Sequence, residues 1–313
     1  MLTLQDVHAA ADALRGRVTR TPLLRCEPLS VWLKPENLQQ AGAFKLRGAL
    51  NKILSIPETD RARGVVAFSS GNHAQGVALA ARMLGIPATI VMPADALAHK
   101  VRATEGYGAR VVTEGVTVST RADVAARIAE EQRATLVPPF DDRLIVAGQG
   151  TVGLEIAEDL PEVDAVVVPL GGGGLLSGVA LAVKSLCPRA RVYGVEPEAG
   201  NDGQRSFREG RIVEIDPPAT IADGARTIHI GTLPFEIIRR HVDDIFTVSD
   251  AALLDAMAAL AMHAKLVVEP TGALAAAAVT SGLIPTGGQV CAVLSGGNAA
   301  PETLAAALTG ARW

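Results

Sequence analysis

Apolar residues recur at helical spacing between Leu4 and Leu14, with Leu4, Val7, Ala10, Ala11 and Leu14 on one face, and this predicts a helix over 4–14. Val31-Trp32-Leu33, closed by Lys34-Pro35, reads as a short strand, and the amphipathic stretch 46–54 as a helix. From residue 64 the period alternates between two and 3.6. It predicts strands over 64–68, 88–92 and 110–113, and helices over 74–84, 96–105 and 118–131. A second series begins near Ile145, with a helix over 151–159, a strand over 164–168, a helix over 175–186 and a strand over 191–195. Residues 197–232 are rich in Gly, Pro and Asp and hold no period, which predicts a long loop of the kind that carries function. A helix over 235–240, a strand over 244–248, helices over 250–263 and 271–281, a strand over 289–294 and a helix over 301–308 follow.

Strands alternating with helices of these lengths require parallel pairing, so the fold class is α/β with open, mostly parallel sheets. The order of elements divides the chain into a large domain from 1–59 and 143–313 and a smaller α/β domain, 60–142, inserted into it. In such sheets a site forms at the C-terminal ends of the strands.

Composition narrows the partners. The chain has 313 residues, a size for about two domains. Lys and Arg total 29 against 33 Asp and Glu, a net charge of -4, and no basic cluster interleaves with aromatics, so a nucleic-acid partner is not expected. Cys26, Cys187 and Cys291 are far apart and odd in number, which fits reduced thiols and a cytoplasmic protein. The first twenty residues carry charge throughout, unlike a signal peptide, and the apolar stretch 253–283 is broken by Asp255, Lys265, Glu269 and Pro270, so no membrane span is expected. Aromatic residues are only 3% of the chain while alanine is abundant, which predicts helices packed through small side chains.

Four stretches carry candidate chemistry. In Gly42-Ala43-Phe44-Lys45-Leu46-Arg47-Gly48-Ala49, a lysine between Phe44 and Leu46 is partly desolvated, its pKa falls and the neutral amine becomes accessible, as a Schiff-base lysine requires. The competing reading is a lysine that extends from a helix start into water. Val166-Val167-Val168-Pro169-Leu170 leads into Gly171-Gly172-Gly173-Gly174, whose unobstructed N–H groups at a helix N-terminus make a phosphate cradle. Its spacing is neither a dinucleotide fingerprint nor a P-loop. Ser69-Ser70-Gly71-Asn72-His73-Ala74-Gln75-Gly76 follows a strand and offers hydroxyls, an amide and N–H groups for a carboxylate, with plain helix capping as the alternative. Ser295-Gly296-Gly297-Asn298 also follows a strand, and three such turns would lie along one sheet edge.

Together these motifs resemble the fold type II pyridoxal-phosphate enzymes, and within them the serine racemase and threonine (serine) dehydratase branch. The resemblance spans nearly the whole chain. It implies that Lys45 holds pyridoxal 5'-phosphate as a Schiff base, that Phe44 lies against the ring, and that Asn72 bonds the ring hydroxyl. Gly171, Gly172, Gly173 and Gly174 would hold the phosphate, Ser295 would face the ring nitrogen, and Glu269 would lie near the cofactor. A neutral hydroxyl at that nitrogen disfavours a long-lived carbanion and favours loss of the β-substituent. Ser70 matches the serine that in racemases protonates the opposite face of Cα, so Lys45 and Ser70 are the candidate catalytic pair. Ser69, Gly71, His73, Arg121 and Thr227 are the implied substrate contacts, and Arg226 is a further cation for a second carboxylate. Glu196, Asp202 and the carbonyl of Gly200 are the implied ligands of Mg or Ca. The implied activity is a threonine/serine ammonia-lyase, with serine racemase or threo-3-hydroxyaspartate ammonia-lyase as alternatives, in a homodimer with a mobile small domain. Two departures from the resemblance stand out: the segment between Glu27 and Val31 is shorter than in the family, and the sequence reaches Trp313 without the regulatory domain of biosynthetic threonine deaminases, so isoleucine feedback is not expected.

Overall fold

The computed structural model describes residues 2–96, 98–117, 119–284 and 288–310. Leu97 and Val118, which fall in the helices predicted over 96–105 and 118–131, and the terminal Trp313 lie outside the described residues. Ten strands form two sheets: β1 Leu24–Cys26, β2 Val31–Pro35, β3 Val65–Phe68, β4 Ala88–Val91, β5 Arg110–Val112, β6 Thr135–Leu136, β7 Ala165–Pro169, β8 Arg191–Pro197, β9 Asp244–Val248 and β10 Val290–Leu294. The six-stranded sheet has the order β1-β2-β10-β7-β8-β9, and the four-stranded sheet the order β5-β4-β3-β6. Every pairing is parallel except β1 with β2, so the expectation of mostly parallel sheets holds.

β7 and β10 are buried along their whole length, as strands covered on both faces must be, and their Val-rich sequences answer to that. The register sets Leu294 beside Pro35, and Ala292 beside both Leu33 and Val167, so the strand ends that lead to Lys45, the glycine quartet and Ser295 lie in neighbouring rows. All three connections leave the same edge.

Small residues let the covering helices meet at close range. A Cβ on Gly148, in helix Arg143–Asp159, would lie 2.6 Å from the Cα of Gly48, and one on Gly178 would lie 2.5 Å from the carbonyl of Val146. The aromatic-poor composition anticipated this packing. The same glycines hid the start of that helix, which begins eight residues before the predicted 151. It begins there because Asp142 Oδ1 accepts from the N–H groups of Leu144 and Ile145.

Other boundaries also differ. β1 and β6 were not predicted, being three and two residues long. The stretch expected as an unbroken loop over 197–232 contains a helix, Asp202–Glu209, closed by Gly210 at φ 72°. The helix expected over 250–263 stops at Ala259 and gives way to a π turn, Leu260–Ala264.

A buried ion cluster fixes the helix that begins with Lys45. Arg47 forks onto Glu36 (2.8 Å from Nε and 2.8 Å from Nη2) and onto Glu155 (2.6 Å from Nη1 and 2.9 Å from Nη2). Lys34 completes it, 2.6 Å from Glu155 and 2.7 Å from the Thr21 carbonyl. Two cations and two carboxylates balance, which is how these charges remain inside the protein.

Candidate active site

The turn before Lys45 is tightly determined. Ala41 and Gly42 adopt φ of 60° and 70°, Ala43 bridges to Gly296, and the Phe44 N–H donates to the Ser295 carbonyl at 3.1 Å. The helix Lys45–Leu54 therefore starts at the end of β10. A Cβ on Gly76 would come within 3.2 Å of Lys45 Cβ, so the helix that follows β3 presses directly on the lysine. Burial pushes the Lys45 ammonium down to about 8, and its Nζ donates to the Pro139 carbonyl at 2.8 Å. Lys45 is half-buried, and the Pro139 carbonyl engages its amine, as the desolvated reading expects.

The glycine quartet ends β7 and opens helix Gly174–Leu186. Among the described residues, no acceptor faces the N–H groups of Gly171, Gly172, Gly173 or Gly174. Gly172, Gly173 and Gly174 are buried, and unpaired buried donors at a helix N-terminus are the signature of an anion site. The cradle thus fits a phosphate group. Packing also demands the glycines: a Cβ on Gly172 would lie 2.1 Å from the Phe140 ring, and Gly173 has φ +90°.

The turn after β3 meets the turn after β10. Asn72 Nδ2 donates to Glu269 at 2.5 Å, while Asn72 Oδ1 accepts from Asn298 Nδ2 at 2.8 Å. Glu269 is buried, and burial, reinforced by Asp223, raises its carboxyl to about 7. Ser295 is buried, with its Oγ 3.5 Å from the Thr271 carbonyl. Ser69 Oγ accepts from the Gly71 N–H at 3.2 Å, Ser70 is half-buried, and a Cβ on Gly71 would meet nothing within 4 Å. His73 lies near enough to Lys45 to feel its charge. It is buried with Nε2 on the Val137 carbonyl at 2.9 Å, and burial together with the Lys45 charge lowers it to about 3. Its Nδ1 is buried with no partner among the described residues, so burial and the Val137 contact fix only one side of the ring.

Thr227 Oγ1 is buried without a partner, and Arg121, at the start of helix Arg121–Gln132, is desolvated with no ion pair or side-chain hydrogen bond among the described residues. Glu196 accepts from the N–H groups of Gly203 and Gln204 at 3.1 and 2.8 Å. Asp202 is buried, and neither of its oxygens meets another residue's donor. Burial lifts Asp202 to about 7, and burial with the Asp202 charge holds Glu196 far above the carboxylate range. Two neighbouring buried carboxylates fit a hard divalent ion completed by water, although no group of three or more His, Cys, Asp or Glu side chains converges among the described residues.

The structure adds contacts that sequence reasoning assigned no role: the Pro139 carbonyl, Phe140, the Lys100–Asp223 ion pair, and Asn298. Only Asn298 lay inside a recognised motif. No helix among the described residues is long and apolar enough to cross a membrane.

The profile of the family described as pyridoxal-phosphate dependent enzyme matches residues 14–296. The chain is 51% identical, over 97% of its length and 98% of the relative's, to the L-threo-3-hydroxyaspartate ammonia-lyase of a Pseudomonas species. It is 46% identical to the L-threonine ammonia-lyase of Thermotoga maritima, over 95% of this chain and 76% of that one. The structure of maize serine racemase superposes with a TM-score of 0.92 at 36% identity, covering 99% of this chain and 97% of the other.

Proposed function

The chain belongs to the pyridoxal-phosphate dependent enzyme family, and from that membership we propose that it is an ammonia-lyase that converts a β-hydroxy amino acid, threonine or serine, to a 2-oxo acid and ammonia. One observation carries the reading: a lysine amine lowered to about 8 and four glycine N–H groups without acceptors stand on connections leaving the same edge of one sheet. The cofactor supplies an electron sink that makes the Cα–H of a bound amino acid acidic.

The protein's part follows from its own groups. The N–H groups of Gly171 to Gly174 hold the phosphate, Phe44 backs the ring, and Ser295 offers a hydroxyl to the ring nitrogen. Asn72 offers the N–H that Glu269 does not take. Lys45 Nζ, neutral at a pH where an exposed lysine is charged, takes the Cα proton. The Pro139 carbonyl gives the resulting ammonium an acceptor. Ser69 and Gly71 bind the substrate carboxylate. Ser70 holds a proton for the opposite face, so the ratio of elimination to racemisation depends on it. Glu196, Asp202 and the Gly200 carbonyl hold Mg or Ca, which orders the segment after β8. Residues 60–142 act as a small mobile domain that closes over substrate, in a cytoplasmic homodimer.

A second reading, a 3-hydroxyaspartate ammonia-lyase, is favoured by the unpaired, desolvated Arg121, with Arg226 as a further cation for a second carboxylate and Thr227 Oγ1 free for the substrate. Incubation of the holoenzyme with L-serine, L-threonine and L-threo-3-hydroxyaspartate, following 2-oxo acid and D-serine together, tests all of these. Predominant 2-oxo acid supports the lyase, and the preferred substrate selects between its two forms. Predominant D-serine with little 2-oxo acid overturns the lyase reading in favour of a racemase.

A further inference from the structure

The last residue of the Ser295 turn makes contacts that none of the roles above requires. Asn298 Nδ2 lies 2.8 Å from the Ala41 carbonyl and 2.8 Å from Asn72 Oδ1. The carbonyl of Ala41 can only accept, so the Asn298 atom facing it is nitrogen. The second hydrogen on that nitrogen needs an acceptor, so the Asn72 atom it meets is oxygen. It follows that Asn72 turns its nitrogen to Glu269, 2.5 Å away. Donor and acceptor identity therefore passes from a fixed backbone carbonyl, through two amides, to a buried carboxylate.

Asn298 is itself held. The Gly297 N–H donates to the Gly42 carbonyl at 2.8 Å, and Gly42 admits Asn298 only because it lacks a side chain, since a Cβ there would lie 2.4 Å from Asn298 Oδ1. The turn before Lys45, the turn after β10 and the turn after β3 all meet at this one amide. Asn72 Nδ2 keeps one hydrogen with no acceptor among the described residues.

We propose that Asn298 is a positioning residue that locks the Asn72 amide, so that Asn72 presents N–H groups, and not its carbonyl, to Glu269 and to the ring hydroxyl of the cofactor. The inference rests on the reading that Asn72 meets the ring. With the amide reversed, the Asn72 oxygen would face the ring oxygen, acceptor against acceptor, and would face Glu269 in the same way whenever that carboxyl is ionised. The Asn298 side chain acts through Asn72; its backbone N–H also bears on Glu269, a contact that side-chain substitution leaves in place.

The test compares holoenzymes of wild type, Asn298→Asp, Asn298→Ala and Asn72→Ala. Each is read for cofactor dissociation constant, for the pH midpoint of the absorbance band of the Lys45-linked cofactor, and for melting temperature. An N–H donated to the ring oxygen stabilises its negative charge, so losing it makes the neighbouring linkage hold its proton more firmly. Asn298→Asp, which keeps the volume but cannot donate to Asn72 while ionised, is expected to raise the midpoint by about one pH unit and weaken cofactor binding about tenfold, in the same direction as Asn72→Ala. Asn298→Ala gives the same reading where Asn298→Asp does not accumulate as folded protein. A lowered melting temperature with an unmoved midpoint, while Asn72→Ala moves it, overturns the role of Asn298 alone. An unmoved midpoint in Asn72→Ala overturns the underlying contact between Asn72 and the ring, and the inference with it.

Discussion

Glu155→Gln is expected to be among the most destabilising conservative substitutions in this protein. The carboxylate receives Lys34 at 2.6 Å and Arg47 at 2.6 and 2.9 Å, and all of these groups except the edge of Glu155 are inaccessible to water. A carboxamide keeps the shape but leaves Lys34, Arg47 and Glu36 with one uncompensated positive charge where water cannot reach it. Breaking a buried pair in this way costs about 3–5 kcal/mol. Lys34→Met alone leaves the complementary negative excess. The double variant Lys34→Met, Glu155→Gln removes one charge of each sign and retains the Arg47–Glu36 fork, so its cost should fall short of the sum of the singles by at least about 2 kcal/mol.

Urea unfolding of the four proteins at neutral pH, compared at unchanged m-value, measures this cycle. Additive costs, or a Glu155→Gln penalty below about 1 kcal/mol, would refute the reasoning. The cluster also has a pH signature. Burial alone would raise Glu36, but Arg47 and Lys34 hold its carboxyl below the ordinary 4.5. A carboxyl lowered on folding contributes stability that is complete above its unfolded value and is lost as pH falls through the folded one. The wild type should therefore lose stability below about pH 4.5, and a Glu36→Gln, Arg47→Met variant should lose less over that range.

Lys45 in the apoprotein should react with a small acylating reagent with a rate midpoint near pH 8, against 10.5 for an ordinary lysine; a midpoint near the ordinary value would mean that the amine is solvated. Ser70→Ala should retain 2-oxo acid formation while D-serine formation falls about 10²-fold or more; undiminished D-serine would remove Ser70 from the mechanism. Mg or Ca at 100 times its dissociation constant should stabilise the wild type by about 2.7 kcal/mol in thermal or urea unfolding, and Glu196→Ala should abolish the effect; equal responses would place the ion elsewhere. Gly172→Ala should release the cofactor on dialysis, because the new methyl would lie 2.1 Å from the Phe140 ring; retention would show that Phe140 can move aside freely.

The main outline was legible because its determinants are local. β7 and β10 carry long apolar runs, and each glycine- or serine-bearing turn directly follows a strand. Where the reading failed, the cause was tertiary. The helix Arg143–Asp159 has lost its period to glycines that serve its neighbours, and Asp202–Glu209 forms in a stretch whose composition reads as loop. His73 reads from its motif either as a substrate contact or as a packed residue, and only the fold supplies the Val137 carbonyl that holds its Nε2. Lys100 and Asp223 lie 123 residues apart and pair only because the folded chain brings them together, which no window of sequence contains.

Among the contacts that sequence could not rank, those of the segment between β6 and helix Arg143–Asp159 have the widest consequences. Its Val137 and Pro139 carbonyls hold His73 and Lys45, Phe140 packs on Gly172, and Asp141 accepts from Thr232 and Leu233 at 2.9 and 3.0 Å. Asp142 pairs with Lys52, in the lysine's own helix, at 2.7 Å. The segment follows directly on the four-stranded sheet, so displacement of that sheet would bear first on the acceptor of the Lys45 amine and on the wall of the phosphate cradle. Closing over a substrate and setting the lysine for proton transfer would then be a single event, carried by six residues of chain.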